Sequence, residues 1–598
     1  MPTVPDLVSN DSALRIDVAA LRQTLAFAFA TGVSVEQFDR AIGEMRLPPS
    51  SWDRAHFARD LFLSDFVERC FPVRAAGRAY EPCKPYLARV VGEPPSDPSI
   101  AEQRRDVLRE LTSSKKHRED LEAAYVAIAQ MRALIAAGRY LSPYLRRLEI
   151  LKSLHAIFAQ LARSFEGARS ALARVRDFGR EVIESDGYKR LDALIDHEAH
   201  LGTVDLRVRV GSDGELRTFQ IVSVRENKAN PFYSSAIGRF LSRLFLYFRG
   251  YRMSGGEVAE RLFDDVFTAL ELSTTALFQL LGDIEVYLAA LGFRDAALAK
   301  GLSVCFPEMT PEPMPGDMDL RHLWNPLLLD HKTTPVPCQL RSSETGAVVF
   351  VTGPNSGGKT RLLQAVAFAQ TLGETGLFVP AKKARMPRVR GLFVSLVEEA
   401  RADQPEGQLG MELLRIRRMF DQLDMSSLVL LDELCSGTNP SEGEEIARLV
   451  ISLLPELGAK VFVTTHLLSF AARLSDEKAL SGVAGLEFLQ VELDAHERPT
   501  YGFLPGVAKT SLAHKTAARL GVTREELSDL IAKKRRSAAV SGAAPRAAAP
   551  SSEAAPPSHP RIDSPDSPEI HPAPGPSATA PRSPETGPSA PMQERRIS

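Results

Sequence analysis

GAVVFVTGPNSGGKTRLLQAVAFAQ, residues 346–370, opens as an apolar, β-branched run, passes through a glycine-rich loop and continues with helical spacing of its apolar residues. Inside it, Gly353-Pro354-Asn355-Ser356-Gly357-Gly358-Lys359-Thr360 fits the pattern G-x-x-x-x-G-K-S/T, set between a predicted strand and a predicted helix. Glycines at these positions let backbone N–H groups turn inward around phosphate oxygens, and the helix N-terminus adds partial positive charge. In this pattern Lys359 reaches the β- and γ-phosphates of a bound nucleotide, and the Thr360 hydroxyl faces Mg²⁺. ATP and Mg²⁺ are therefore the expected cofactors.

Two more apolar runs complete the pattern. SSLVLLDE, residues 426–433, ends 73 residues after Lys359 in Asp432-Glu433. Asp432 is placed to hold Mg²⁺ through water, and Glu433 to polarise an attacking water. AKVFVTTH, residues 459–466, ends in His466, which at the C-terminal end of a strand is positioned as a γ-phosphate sensor. Strands alternating with helical segments imply a mostly parallel sheet covered on both faces.

Working outward, 598 residues suggest about three or four domains. Apolar residues at 44% and charged residues at 25% exclude a chain disordered throughout. Lys and Arg number 73 against 75 Asp and Glu, so a uniformly basic nucleic-acid binder is excluded, while a local basic stripe is not. Five scattered cysteines without a CxxC pair fit a reducing compartment. No apolar run of about 18 residues is free of charge, and the first residues lack the basic and apolar regions of a secretory signal. The expected location is cytoplasmic, with no membrane partner.

From residue 12 to about 180 the pattern is mainly helical. RRDVLRELTSSKKHREDLEAAYVAIAQMRALIAAG, residues 104–138, and the stretch 144–184 read as long amphipathic helices. TVDLRVRVGSDGELRTFQIVSV then alternates apolar and polar residues about a Gly211-Ser212-Asp213-Gly214 turn, a hairpin signal. Helical pattern returns over about 235–301. Residues 537–598 hold 14 of the 41 prolines and read as a disordered tail. The basic run Lys533–Arg536 at its root reads as a solvated helix end or a nucleic-acid contact.

GPNSGGKT, AQTLGETGLFVPAKKAR (369–385), LLDELCSGTNPSEG and TTH together resemble the MutS ATPase. FVPA is much more specific than the phosphate loop. LPGVA (504–508), Ser511 and ARLGV (518–522) resemble the C-terminal helices where MutS subunits pair, and residues 97–108 resemble the start of the MutS core. The resemblance is strong over about 316–532 and weak but colinear over about 57–307. It implies a homodimer whose ABC-type ATPase drives a helical DNA clamp in mismatch repair or recombination, with repair or recombination proteins as further partners. It also implies a signature loop that completes the site in trans. The best match is Gly407-Gln408-Leu409-Gly410-Met411-Glu412, in which the family's hydroxyls are missing. Gly407, Gln408, Gly410 and Glu412 carry this expectation, and slow turnover follows if one donor is worth roughly 2.7–4 kcal/mol. Core-like sequence begins within about the first hundred residues, so the two mismatch-reading domains and their Phe-x-Glu wedge are expected to be missing. Phe306-Pro307-Glu308 matches that motif by chance, and the Pro-rich end shows no nuclease chemistry.

The resulting expectation is a multidomain chain. A helical core with lever and clamp-like parts spans 1–95 and 96–315, with a β insertion near 187–230. An α/β ABC-type P-loop ATPase occupies 316–505, a helical dimerisation element 506–536, and the tail 537–598. Duplex or branched DNA, held with low sequence specificity, is the expected partner. The candidate phosphate contacts are Arg104, Arg105, Arg109, Lys115, Lys116 and Arg118, with Arg207 and Arg209 on the hairpin. The simpler reading of each is a solvated charge. His322 and Trp324 lie where a base platform could form, with a core aromatic as the simpler reading. An ATP-driven scaffold that binds a protein partner and no DNA is the alternative function, and an SMC-like ATPase is a third, disfavoured by FVPA and GTNPSEG.

Overall fold

The computed structural model describes residues 3–138, 142–200, 203–210, 216–225, 255–313, 316–343, 348–396, 408–435, 439–476, 485–509 and 520–541. The chain divides into one compact unit, Met1–Leu520, and a second, Gly521–Ser598.

The first unit begins with helices α1 (Val18–Thr31), α2 (Val35–Gly43) and α3 (Leu63–Cys70). A short hairpin not foreseen from the sequence follows, β1 (Val73–Ala75) and β2 (Arg78–Tyr80). Then come α4 (Lys84–Gly92), α5 (Pro98–Ser113), α6 (Lys115–Ala136), α7 (Pro143–Leu161), α8 (Leu172–Glu184) and α9 (Asp186–His200). The segment expected as one helix over 104–138 is two. Ser114 leaves helical geometry and its hydroxyl accepts from His117 N, capping α6. The stretch 144–184 likewise splits, because Phe165 and Gly167 take positive φ between α7 and α8.

β3 (Thr203–Val210) and β4 (Leu216–Arg225) form the expected antiparallel hairpin, with Arg207 opposite Gln220 and Arg209 opposite Thr218. Its turn lies outside the described residues. The spine of the helical region is α10 (Gly255–Ala299). Its stretch Phe263–Ala299 is long and apolar enough to cross a membrane, yet 94% of its most apolar window is buried inside the protein. A helix apolar all round is a core helix when neighbours cover every face. The N-terminal residues pack on it. Arg15 and Asp6 form a fully buried pair at 2.7 Å, Tyr86 and Leu7 N both donate to Asp283, and Gln279 accepts from Arg15 N.

Two sheets build the second half. One contains β5 (Glu308–Pro313), β6 (Met318–Leu323), β7 (Cys338–Ser342) and β9 (Lys383–Arg388) in the order β5-β9-β6-β7. It starts before the boundary expected near 316. The other contains β8 (Val348–Thr352), β10 (Leu392–Ser395), β11 (Leu428–Leu431), β12 (Lys460–Thr465), β13 (Leu486–Leu493) and β14 (Pro499–Pro505). Its order is β10-β11-β12-β8-β13-β14, parallel except for the last pair. The helices are α11 (Lys359–Thr375), α12 (Gln408–Gln422), α13 (Pro440–Leu453) and α14 (Leu468–Asp476).

From Leu362 onward α11 is buried on every side. Its C-terminal end explains the AQTLGETG stretch. A Cβ on Gly376, which sits at φ 86°, would lie 2.3 Å from Ala101 O of α5, and one on Gly373 would meet Met386 and Pro307. Glycines there let the sheet-bearing half dock on the helical half. FVPA is structural as well: Phe378 stacks on Phe306 at 4.7 Å, and Val379 and Cys305 exchange backbone hydrogen bonds.

In the second unit, α15 (Arg524–Ser541) starts with an N-cap at Thr523. Glu526 N donates to Thr523 Oγ1, which donates back to Glu526. The helix runs on to Ser541, past the expected start of the tail at 537. Residues 542–598 lie outside the described residues.

Candidate functional site

β8 is wholly buried between β12 and β13, so the loop after it leaves the sheet at the carboxyl ends of parallel strands. Gly353 at φ 139° and Gly358 at φ 90° take conformations that residues with a side chain rarely adopt, and a Cβ on Gly353 would lie 2.7 Å from Val491. Lys359, 5% exposed, turns its ammonium back into the loop. It donates to Gly353 O at 3.1 Å, Pro354 O at 3.3 Å and Asn355 Oδ1 at 3.4 Å. Burial lowers its pKa, opposed by the nearby Glu433 and Asp432 carboxylates.

The Thr360 hydroxyl donates to Asp432 Oδ2 at 2.6 Å. Thr464 donates to the other oxygen of Asp432 and accepts from Glu433 N at 2.9 Å. Parallel pairing of β11 and β12, with Leu431 opposite Val463, brings these groups together. Glu433 sits at φ 51°, and its Oε2 is 3.9 Å from His466 Nδ1, both side chains partly open to solvent. A hydroxyl and a carboxylate side by side are a hard oxygen donor set, which suits Mg²⁺.

Lys359, Thr360, Asp432 and Glu433 line one cleft of about 900 Å³. Its other walls include Asn325, Tyr501 and Phe62. Asn325 donates to Gln364 Oε1 at 3.0 Å, tying the segment before β7 to α11. Tyr501, at φ 65° and half-exposed, approaches Gly358. Thr464, Tyr501 and Phe62 were not found by sequence reasoning. Thr464 stood inside the quoted TTH, but its role depends on strand register. Tyr501 and Phe62 reach the site from a distant strand and a distant helix and carry no spacing signal.

Trp324 is a core residue, 1% exposed, with its indole N–H on Ser303 O. Of the expected trans loop, Gly407 lies outside the described residues, and Gln408 and Gly410 are in the first turn of α12. Glu412 accepts from Cys435 N of its own chain.

The basic candidates do not form one surface. Arg104 is 1% exposed and donates to Val8 O at 2.9 Å and Thr375 O at 3.0 Å. Arg105, also buried, donates to Gly373 O at 2.7 Å. Both guanidiniums grip the last carbonyls of α11, where positive charge complements the negative end of the helix dipole. In this structure neither is open to DNA phosphate, which corrects that expectation. Their helical spacing was legible, but the face they occupy was not. Arg109 pairs with Glu102 and Asp106, and Arg118 with Asp295 and Glu122. Lys115 and Lys116 are exposed, beside Glu119 and Glu166. Arg207 and Arg209 are placed by backbone register alone.

A mostly parallel sheet, a phosphate loop on its central strand and an Asp-Glu pair on a nearby strand define the class of P-loop nucleotide-binding proteins. Residues 349–526 match the family model MutS domain V. Similar curated proteins carry the name Endonuclease MutS2. That of Thermomicrobium roseum is 37% identical over 203 residues, covering 33% of this chain and 24% of the relative. That of Thermus thermophilus is 31% identical over 245 residues, 40% of this chain and 31% of the relative. That of Leuconostoc mesenteroides is 27% identical over 449 residues, 64% of this chain and 54% of the relative. The chain thus spans from about a quarter to about half of the length of these relatives.

Proposed function

We propose that the protein binds Mg-ATP in the 353–360 cleft and hydrolyses it to control a dimeric clamp on DNA, in mismatch repair or recombination-related maintenance in the cytoplasm. One observation carries the nucleotide reading: Thr360, Asp432 and Lys359 converge at the mouth of the same loop, with Thr360 and Asp432 2.6 Å apart. Phosphate entry replaces the loop carbonyls that Lys359 now holds. Thr360 and Asp432 would hold Mg²⁺, which supplies charge neutralisation at the phosphates. Glu433 accepts a proton from the attacking water, and His466 stands beside it to contact the transferred phosphoryl group. Thr464 holds Asp432 and the Glu433 backbone in register. Gln408, Gly410 and Glu412 are proposed to meet the nucleotide of a second subunit, with slow turnover because the loop lacks hydroxyls. The C-terminal helix, through Leu527, Leu530 and Ile531, joins the subunits.

The DNA contacts are proposed at Lys115, Lys116, Arg207 and Arg209. A second reading is favoured by the burial of Arg104 and Arg105 and the ion pairs of Arg109 and Arg118: an ATP-driven scaffold that binds a protein partner and no DNA. DNA binding separates the two. Full-length protein is titrated with homoduplex, mismatched and branched DNA across a salt series, with ATP, ADP or no nucleotide. Affinity that falls linearly with salt on logarithmic axes, and changes with nucleotide, supports the clamp. Absence of binding in every state gives the scaffold precedence.

A further inference from the structure

The nucleotide cleft has a wall that does not belong to the ATPase half. Phe62 comes from the start of α3, in the helical region, and lines the cleft together with the phosphate loop, Asp432 and Glu433. It is 43% exposed, unusual for a large apolar side chain beside a core, and sits at φ 51°, ψ 47°. A bulky residue in left-handed geometry is an outlier that surrounding structure must hold in place.

The holding contacts run along the edge of the sheet. The Ser51 hydroxyl donates to Arg390 O at 2.6 Å and the Trp52 indole to Val389 O at 3.2 Å, both just before β10. Asp60, almost fully buried, accepts from Leu396 N at 2.8 Å and pairs with Arg415 of α12 at 3.3 Å, just after β10. The preceding carbonyl, Ser395 O, accepts from Asp432 N at 2.9 Å. Asp60 is therefore one peptide away from the proposed magnesium ligand. On its other side, α3 sets Phe66 between Phe368 of α11 at 4.5 Å and Phe293 of α10 at 6.0 Å.

We propose that Phe62 is a positioning residue for the bound nucleotide, anchored by Asp60, and that residues 51–62 couple occupancy of the cleft to the spine helix of the clamp region. This rests on the Mg-ATP reading above. Phe62 lines the cleft together with Leu396, Asp432 and Glu433, where a ring limits water around the phosphates. Because coupling is reciprocal, a nucleotide that orders Phe62 also biases the helical region.

The test uses full-length protein and a fluorescent ATP analogue with Mg²⁺, together with hydrogen exchange over residues 51–70. Phe62→Gly removes the ring and relieves the left-handed backbone strain, which offsets part of the lost packing and keeps the chain folded. The expected result is affinity about tenfold weaker, as for loss of one aromatic contact. Nucleotide protection of residues 51–70, present in the wild type, is lost in Phe62→Gly even at saturation and restored in Phe62→Tyr. Asp60→Asn, which loses the charge on Leu396 N and Arg415, gives an intermediate loss. Should Phe62→Gly not fold, Phe62→Leu gives the same readouts. Unchanged affinity and unchanged protection in these variants overturn the proposal. No binding of the analogue by the wild type overturns the Mg-ATP reading instead.

Discussion

Glu433 and Arg104 show two kinds of charged residue at work. Glu433 is partly exposed at the mouth of the cleft, 3.9 Å from His466. Glu433→Gln keeps the shape and removes the base. Nucleotide binding is expected to persist while single-turnover hydrolysis falls about 10²–10⁴-fold. Rapid-quench measurement checks this, and hydrolysis at the wild-type rate would remove Glu433 from the mechanism. Arg104 instead satisfies two buried carbonyls on different elements. Arg104→Ala strands Val8 O and Thr375 O, and should cost about 2–3 kcal/mol in chemical denaturation. Lys115→Ala and Lys116→Ala, at exposed positions, should stay within about 0.5 kcal/mol. A neutral Arg104→Ala would mean that the grip on α11 is dispensable.

At the scale of elements, α10 carries a buried acid that links stability to pH. Glu285 accepts from Cys83 N at 2.8 Å and from Tyr125 OH at 3.2 Å. Burial pushes its pKa up to about 7, from an ordinary value of 4.5. Below the ordinary value the group is protonated in both folded and unfolded chains. As pH rises from there to about 7, the unfolded chain releases the proton first, so stability falls by up to about 1.4 kcal/mol per unit. Above the folded value the loss is complete. Glu285→Gln removes the titration and can still meet Cys83 N and Tyr125. Relative to this variant, the wild type should lose denaturant resistance as pH rises through that window. Parallel profiles would show that Glu285 stays ionised in the fold. The same scale shows what α11 does: it starts at Lys359 in the cleft and ends in the grip of Arg104 and Arg105, so one rigid element joins nucleotide to helical region.

At the scale of the whole molecule, a ligand that binds only the folded chain stabilises it. Mg-ATP at 100 times its Kd should add about 2.7 kcal/mol to unfolding. Calorimetry with and without Mg-ATP checks this, and Lys359→Ala should abolish the shift. Equal shifts in wild type and Lys359→Ala would place the nucleotide elsewhere.

The sequence by itself determined the phosphate loop, the Asp432-Glu433 strand end and the β8–α11 connection. Each is a local pattern, in which neighbours in the chain are also neighbours in space. It also determined the hairpin, whose alternation shows strand period. Tertiary structure alone decided which face each helix turns inward. Arg104 and Arg105 carry the same charge as Lys115 and Lys116, yet two are buried against α11 and two are solvated. No periodicity separates them, because burial of an arginine depends on carbonyls contributed from hundreds of residues away. Phe62 and Tyr501 line the cleft, and Thr464 holds Asp432, for the same reason. Strand register and helix docking bring them there, and both are set by the packing of the whole chain.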